Sequence, residues 1–228
     1  MESELKFIVA NNELPPALNI IKALCKKDEE HPIAIISSIY YDTLSFDSLN
    51  EKINSDYYKS KIRLRWYQDY KTQNFSKLAY AEAKFRIGAK REKYRTPSTL
   101  KPQNLNSMSL DNPSLNTTMT ALREKGILIN KPIFPTLLIQ YTRQRFIDPV
   151  SGSRISIDNQ IKTSRWNTTM LPSASIANLQ NTVIEVKGNE TQLPTSLQIL
   201  TQFGVRKSSF SKYLSCYSRC HQISFDPR

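Results

Sequence analysis

One stretch of this chain after another alternates charged with apolar residues at every second position. Lys61, Arg63 and Arg65 alternate with Ile62, Leu64 and Trp66, and Glu82, Lys84 and Arg86 with Ala81, Ala83 and Phe85. Glu2, Glu4 and Lys6 share one parity, with Leu5 on the other. Arg143 and Arg145 share theirs with Tyr141; Arg154 and Asp158 oppose Ile155 and Ile157; Glu185 and Lys187 oppose Ile184 and Val186. A β-strand puts residues i, i+2 and i+4 on one face, so each stretch reads as a strand with one charged and one apolar face. A single strand of this kind is ordinary, a solvated face laced with weak cross-strand ion pairs. The same habit in so many strands needs a different account. A sheet closed on itself provides one: the apolar face packs outward against helices and the charged face lines a lumen.

Such a lumen would be cationic. The 228 residues hold 32 Lys and Arg against 20 Asp and Glu, a formal net charge of +12. Two like charges roughly 4 Å apart, at an effective dielectric of about 20, repel by about 4 kcal/mol. Carboxylates on the same face relieve part of this and a bound polyanion the rest. Phosphate chains suit that role, because guanidinium forks grip phosphate oxygens bidentately and lysines supply point charge. Leftover carboxylates can hold a hard divalent cation that also bridges phosphate oxygens. Phosphoryl transfer needs little beyond this positioning and charge neutralisation. No nucleic-acid partner is expected. The cations sit at period 2 beside carboxylates that would repel a backbone, and Trp66 and Trp166 read as packing residues rather than base platforms.

The five glycines, at 88, 126, 152, 188 and 204, are too scattered for a GxGxxG or Walker A loop, so any phosphate is held by side chains. Three cysteines (Cys25, Cys216, Cys220) without a pairing grid read as free thiols, and two histidines without HExxH exclude a His-rich zinc site. No GxSxG is present. The N-terminus lacks the features of a signal peptide, and no apolar run approaches the roughly 20 residues of a transmembrane helix. The reading is a single domain over 1–228, soluble and cytoplasmic. Helices are expected at 15–26, 46–54, 117–125, 193–202 and 209–221, with a Ser-, Asn- and Pro-rich loop over 96–116.

Taken in order, the charged stretches form a series: ELKF at 4–7, YYDT at 40–43, KIRLRWY at 61–67, EAK at 82–84, AKREKYR at 89–95, YTR at 141–143, RISID at 154–158, EVK at 185–187 and FSKY at 210–213. The series resembles the triphosphate tunnel metalloenzymes, and among them most of all the catalytic domain of the vacuolar transporter chaperone (VTC) complex and its stand-alone bacterial relatives. The resemblance implies an α+β fold: an antiparallel eight-stranded β-barrel, the triphosphate tunnel, with helices packed outside. It implies ATP, triphosphate or polyphosphate as substrate and Mn2+ or Mg2+ as cofactor. In the VTC branch the implied reaction moves the γ-phosphate of ATP onto a growing polyphosphate chain. Carried over by motif, Lys6, Arg63, Arg65, Lys84, Arg143, Arg154, Lys187 and Lys212 are the catalytic phosphate ligands. Arg86, Arg91 and Lys93 are further tunnel cations. Glu185 is the principal metal ligand, Glu4 and Glu82 assist it, and Asp158 orients Arg154 or a metal-bound water. By periodicity alone, Lys212 and Tyr213 read equally well as an amphipathic pair on a C-terminal helix.

Eukaryotic members of that family carry an N-terminal phosphate-sensing domain and a membrane anchor. Neither is seen in this sequence, so moving a product across a bilayer would require a membrane protein partner. Three activities fit: polyphosphate synthesis from ATP, hydrolysis of tripolyphosphate or nucleoside triphosphate, and polyphosphate binding without chemistry. The first two differ only in whether phosphate or water attacks. The carboxylate at Glu185 favours an enzyme over a binding module.

Overall fold

The computed structural model describes residues 3–221. Glu2, assigned above to the first strand's charged face, lies outside them. Eight long strands form one antiparallel sheet: β1 (Ser3–Ala10), β2 (Ile33–Asp42), β3 (Tyr58–Asp69), β4 (Tyr80–Ile87), β5 (Lys90–Pro97), β6 (Phe134–Ile147), β7 (Arg154–Trp166) and β8 (Asn181–Gly188). Their order across the sheet is β1-β8-β7-β6-β2-β3-β4-β5. Two-residue strands at Lys26–Lys27, Ala177–Asn178 and Arg206–Lys207 pair with β6, β7 and β1. Among the described residues no ladder joins β5 to β1, so "barrel" holds only loosely: the sheet is open at that seam. It nevertheless curls until its two ends approach, since Glu4 on β1 and Lys84 on β4 meet at 3.4 Å.

The alternation decides what each face packs against. On the convex face, Phe7, Val9, Ile155, Ile157, Ile184 and Val186 form a core with Leu14, Ala17 and Ile21 of α1 (Leu14–Leu24) and with Leu197 and Leu200 of a 3-10 helix, Thr195–Phe203. Farther round, Ile62, Leu64, Trp66, Ala81 and Ala83 are covered by the segment 105–127. That segment corrects the expected 96–116 loop. Residues 96–116 contain α3 (Pro102–Ser107) and a 3-10 turn (Pro113–Asn116), and lead into α4 (Thr117–Arg123). Leu105, Leu110 and Leu115 are the segment's buried anchors. Their five-residue spacing matches neither helical nor strand periodicity, which is why the polar composition around them read as loop. Likewise the helix expected at 193–202 is a 3-10 helix.

α2 (Asp47–Ile53) follows β2, and α5 (Lys212–Cys220) ends the described chain. Helices were expected packed outside, while the family motif carried Lys212 of the 209–221 helix into the site; α5 lies on the concave face. Its Tyr213, Cys216 and Cys220 pack with Ile36, Tyr40, Tyr141 and Val183. These sheet residues share the charged side chains' face, because Tyr40 pairs directly with Arg63 and Val183 with Asp158. Among the described residues, no helix is long and apolar enough to cross a membrane.

Candidate active site: the charged interior of the curved sheet

Ladder register builds the interior. Across β3, β4 and β5, Lys59 aligns with Arg86 and Arg91, Lys61 with Lys84 and Lys93, and Arg63 with Glu82 and Arg95. Across β1, β8 and β7, Lys6 aligns with Glu185 and Ser156, and Glu4 with Lys187 and Arg154; Asp158 of β7 pairs with Arg143 of β6. Directly opposed residues share a face, so these side chains converge.

They sort around carboxylates in three groups. Glu82 takes the Arg63 fork, with Nε at 2.7 Å and Nη2 at 2.6 Å, and has Arg95 at 3.6 Å and Arg65 at 4.0 Å. Asp158, fully buried, accepts from Arg143 Nε at 2.6 Å and Nη2 at 2.7 Å, and pairs with Lys212 Nζ at 2.6 Å. The third group centres on Glu4 and Glu185. Lys187 Nζ lies 2.9 Å from Glu185 and 3.9 Å from Glu4; Lys6 and Lys84 lie 3.5 and 3.4 Å from Glu4, and Arg143 Nη2 lies 3.9 Å from Glu185. Burial disfavours ionising Glu185, but Arg143, Lys187, Lys6 and Lys212 outweigh it and hold the carboxyl well below the usual carboxylate range.

α5 is pinned into this interior at several points. Besides the Lys212 bridge to Asp158, the Tyr213 hydroxyl donates to Asp42 Oδ2 at 2.9 Å, and the Tyr213 ring stacks on Tyr40 at 5.1 Å. Asp42 also accepts from the backbone N–H groups of Thr43, Ser48 and Leu49, so one carboxylate ties α5 to the start of α2. Ser211 caps α5, its Oγ accepting from Leu214 N, and Lys61 Nζ reaches the same Oγ at 3.2 Å.

The expected site residues divide accordingly. Lys6, Arg63, Arg65, Lys84, Arg143, Lys187, Lys212, Glu4, Glu82, Glu185 and Asp158 all meet in the interior groups. Asp158, expected near Arg154, is engaged by Arg143 and Lys212 instead. Arg154 aligns with Lys187 at the exposed start of β7. Arg86, Arg91 and Lys93 are exposed at the open edge and join none of the three carboxylate groups. Arg95, Lys61 and Tyr40 are not among the expected ligands, though the alternation puts Lys61 on the charged face; each faces the interior. Arg95 stacks over the Tyr80 ring at 3.7 Å while reaching Glu82. The period-2 spacing of Arg91, Lys93 and Arg95 was its signal, masked because Lys90, Glu92 and Tyr94 on the other parity are not uniformly apolar.

Lys61 has a measurable consequence. Burial first, then Lys6, Lys52, Lys84 and Arg63, push its ammonium down to about 7. A polyanion reverses the charge term, so binding tripolyphosphate should draw a proton onto Lys61, and more of one at pH 8 than at pH 6. Calorimetry in buffers of different ionisation enthalpy would show this uptake for the wild type and its loss in Lys61→Met. Equal uptake in both would rule Lys61 out as the acceptor.

The carboxylates present fit a hard divalent cation at one place. Glu4 and Glu185 are near enough to repel each other, and oxygen donors suit Mg2+ or Mn2+. No cluster of three or more His, Cys, Asp and Glu side chains occurs among the described residues. Two protein carboxylates, with phosphate oxygens and waters completing the shell, is an ordinary arrangement for such ions. Glu82, expected to assist, stands apart, saturated by guanidinium groups.

A family model for the VTC domain matches residues 1–221. The chain belongs to the VTC domain family. Among solved structures, this VTC-domain protein is similar to a candidate adenylate cyclase from Bacillus halodurans: 16% identity, 92% of this chain and 94% of that one covered, TM-score 0.51. At that identity the likeness shows the fold alone. A protein from Pyrococcus horikoshii OT3 (12% identity, 95% and 99% covered, TM-score 0.49) and a candidate adenylate cyclase from Vibrio parahaemolyticus (15%, 95% and 97%, TM-score 0.48) are weaker likenesses. No curated protein matches the sequence.

Proposed function

We propose that this VTC-domain protein carries out metal-dependent phosphoryl transfer on a triphosphate or polyphosphate held in its charged interior, and that its reaction is synthesis of inorganic polyphosphate from ATP. The observation that carries this reading is the Glu4–Glu185 carboxylate pair ringed by Lys6, Lys84, Arg143 and Lys187. Lys6, Lys84 and Lys187 supply charge along one side of a phosphate chain, and Arg63 and Arg143 supply the end of each guanidinium fork that Glu82 and Asp158 leave over. Glu82 and Asp158 preset the orientation of those forks, so little reorganisation is needed when phosphate arrives. Glu4 and Glu185 would hold Mn2+ or Mg2+, which when bound would supply Lewis-acid charge neutralisation for the phosphates.

A second reading, hydrolysis of tripolyphosphate or nucleoside triphosphate, is favoured by α5. With Tyr213 stacked on Tyr40 and Lys212 bound to Asp158, the helix occupies part of the interior, which suits a short substrate. Incubation with ATP and Mn2+ followed by gel analysis separates the two. Long chains indicate the polymerase and free phosphate the hydrolase. Binding without turnover would sink both. Arg63→Ala should weaken triphosphate binding at least about tenfold, the scale of a lost charge-assisted hydrogen bond; titration of labelled triphosphate measures it.

A further inference from the structure

Like charges placed directly opposite in an antiparallel ladder destabilise it. Yet β3, β4 and β5 carry Lys61 against Lys84, Lys84 against Lys93, Lys59 against Arg86, and Arg86 against Arg91. Glu82, and Glu4 reaching across from β1 to Lys84, are the carboxylates that meet the cations of this face, and three guanidinium groups already surround Glu82. The described residues give neither Arg91 nor Lys93 a carboxylate partner. Glu92 spends its charge on Lys90, which shares the opposite parity. Arg86 is held at the edge by its own loop, Nε donating to the Gly88 carbonyl at 2.7 Å. Exposure increases toward the seam: the Arg63 side chain is 23% exposed and the Lys84 side chain 42%, while Arg86, Arg91 and Lys93 are open to solvent.

We propose that Arg91 and Lys93 on the edge strand β5, with Arg86 opposite Arg91 on β4, form an outer track for the length of a polyphosphate chain that extends beyond the interior. The inference rests on the phosphate-binding reading above and adds a dependence on chain length. Three observations carry it. The cation lattice is continuous, since Lys93 opposes Lys84, which lies 3.4 Å from Glu4 of the carboxylate pair. The seam between β5 and β1 has no backbone ladder among the described residues to block passage. The concave face at Tyr40 is occupied by α5, so a long chain leaves on the side of the open edge. An anion lying across the opposed cations would relieve their remaining repulsion.

The test compares tripolyphosphate with polyphosphate of about a hundred phosphates, binding each to the full chain and to R86Q/R91Q/K93Q by competition against a labelled probe. In the wild type the long chain should bind about tenfold more tightly than tripolyphosphate, the scale of several added exposed charge contacts. The triple variant should lose most of that advantage while its tripolyphosphate affinity stays within about twofold, because these side chains lie outside the interior groups. K93Q alone should lose part of it, which guards against misfolding of the triple variant. A triple variant that keeps the long-chain advantage overturns the track and leaves the interior reading standing. A wild type that binds neither ligand overturns both. An RNA oligonucleotide of matched charge that competes equally well at the edge overturns the assignment to polyphosphate.

Discussion

Asp158→Asn is expected to cost about 3–5 kcal/mol of stability, the usual penalty for removing one partner of a buried ion pair. Asp158 is fully buried between the Arg143 fork and Lys212 Nζ, all within 2.7 Å. Asparagine preserves the shape but leaves two buried cations facing an uncharged amide. In a chain of this size the melting temperature should fall by roughly 6–20 °C, at about 2–4 °C per kcal/mol. Thermal unfolding followed by circular dichroism measures it. Burial alone would raise the Asp158 carboxyl, but Arg143 and Lys212 hold it below the ordinary Asp value. A depressed folded-state value adds stability above the unfolded one, and that stability is lost as pH falls. The gap between wild type and variant should therefore narrow below about pH 4, the ordinary Asp range. The exposed Lys90–Glu92 pair is the contrast, and Glu92→Gln should leave the melting temperature unchanged. A shift for Asp158→Asn no larger than that of Glu92→Gln would show that the triad is not an ionised buried network.

The strands were legible because burial on one face and charge on the other leave a period-2 trace in the sequence. That trace placed Lys61, Arg63, Arg65, Glu82 and Lys84 on the inner face with Ile62, Leu64 and Ala83 outward, as the register shows. It failed where the backbone departs from regularity. β7 was read only to Asp158, yet continues to Trp166. Gln160 adopts a φ of 52° where the pairing with β6 shifts register, so residues beyond it change parity. α5 failed for another reason. Helical spacing groups Tyr213, Cys216, Tyr217 and Cys220 on one side of the 209–221 helix, but an amphipathic stripe states only that something covers it. Asp42, Tyr40 and Asp158, far away in sequence, decide that the cover is the inside of the sheet. The partition of the carboxylates was equally hidden. Glu4, Glu82 and Glu185 occupy equivalent strand positions, and only the curl of the sheet brings the first and third together while surrounding the second with arginines.

That partition predicts opposite behaviour for two conservative substitutions. Glu185→Gln should reduce metal-dependent turnover of ATP or tripolyphosphate on the order of a hundredfold or more, since losing even an outer-shell partner of a metal costs about 10–100-fold. In the absence of divalent cations the same variant should bind tripolyphosphate about tenfold more tightly. It deletes a negative charge beside Arg143, Lys187 and Lys6, where one unit of charge at roughly 4 Å is worth up to about 4 kcal/mol, most of it screened in a solvated interior. Glutamine is isosteric, so packing against the neighbouring strands is kept. Glu82→Gln should differ in kind. Its loss frees the Arg63, Arg65 and Arg95 guanidinium groups, lowering stability and disordering the Arg63 fork, while the concentration of Mn2+ giving half-maximal turnover stays the same. Metal titrations of turnover, set beside metal-free binding isotherms for both variants, read out the two carboxylates separately. Unchanged turnover in Glu185→Gln, or weaker metal-free binding, would remove Glu185 as the metal ligand. A raised Mn2+ requirement in Glu82→Gln would return Glu82 to the metal site and require the Glu4–Glu185 pair to act as a phosphate-facing counter-charge instead.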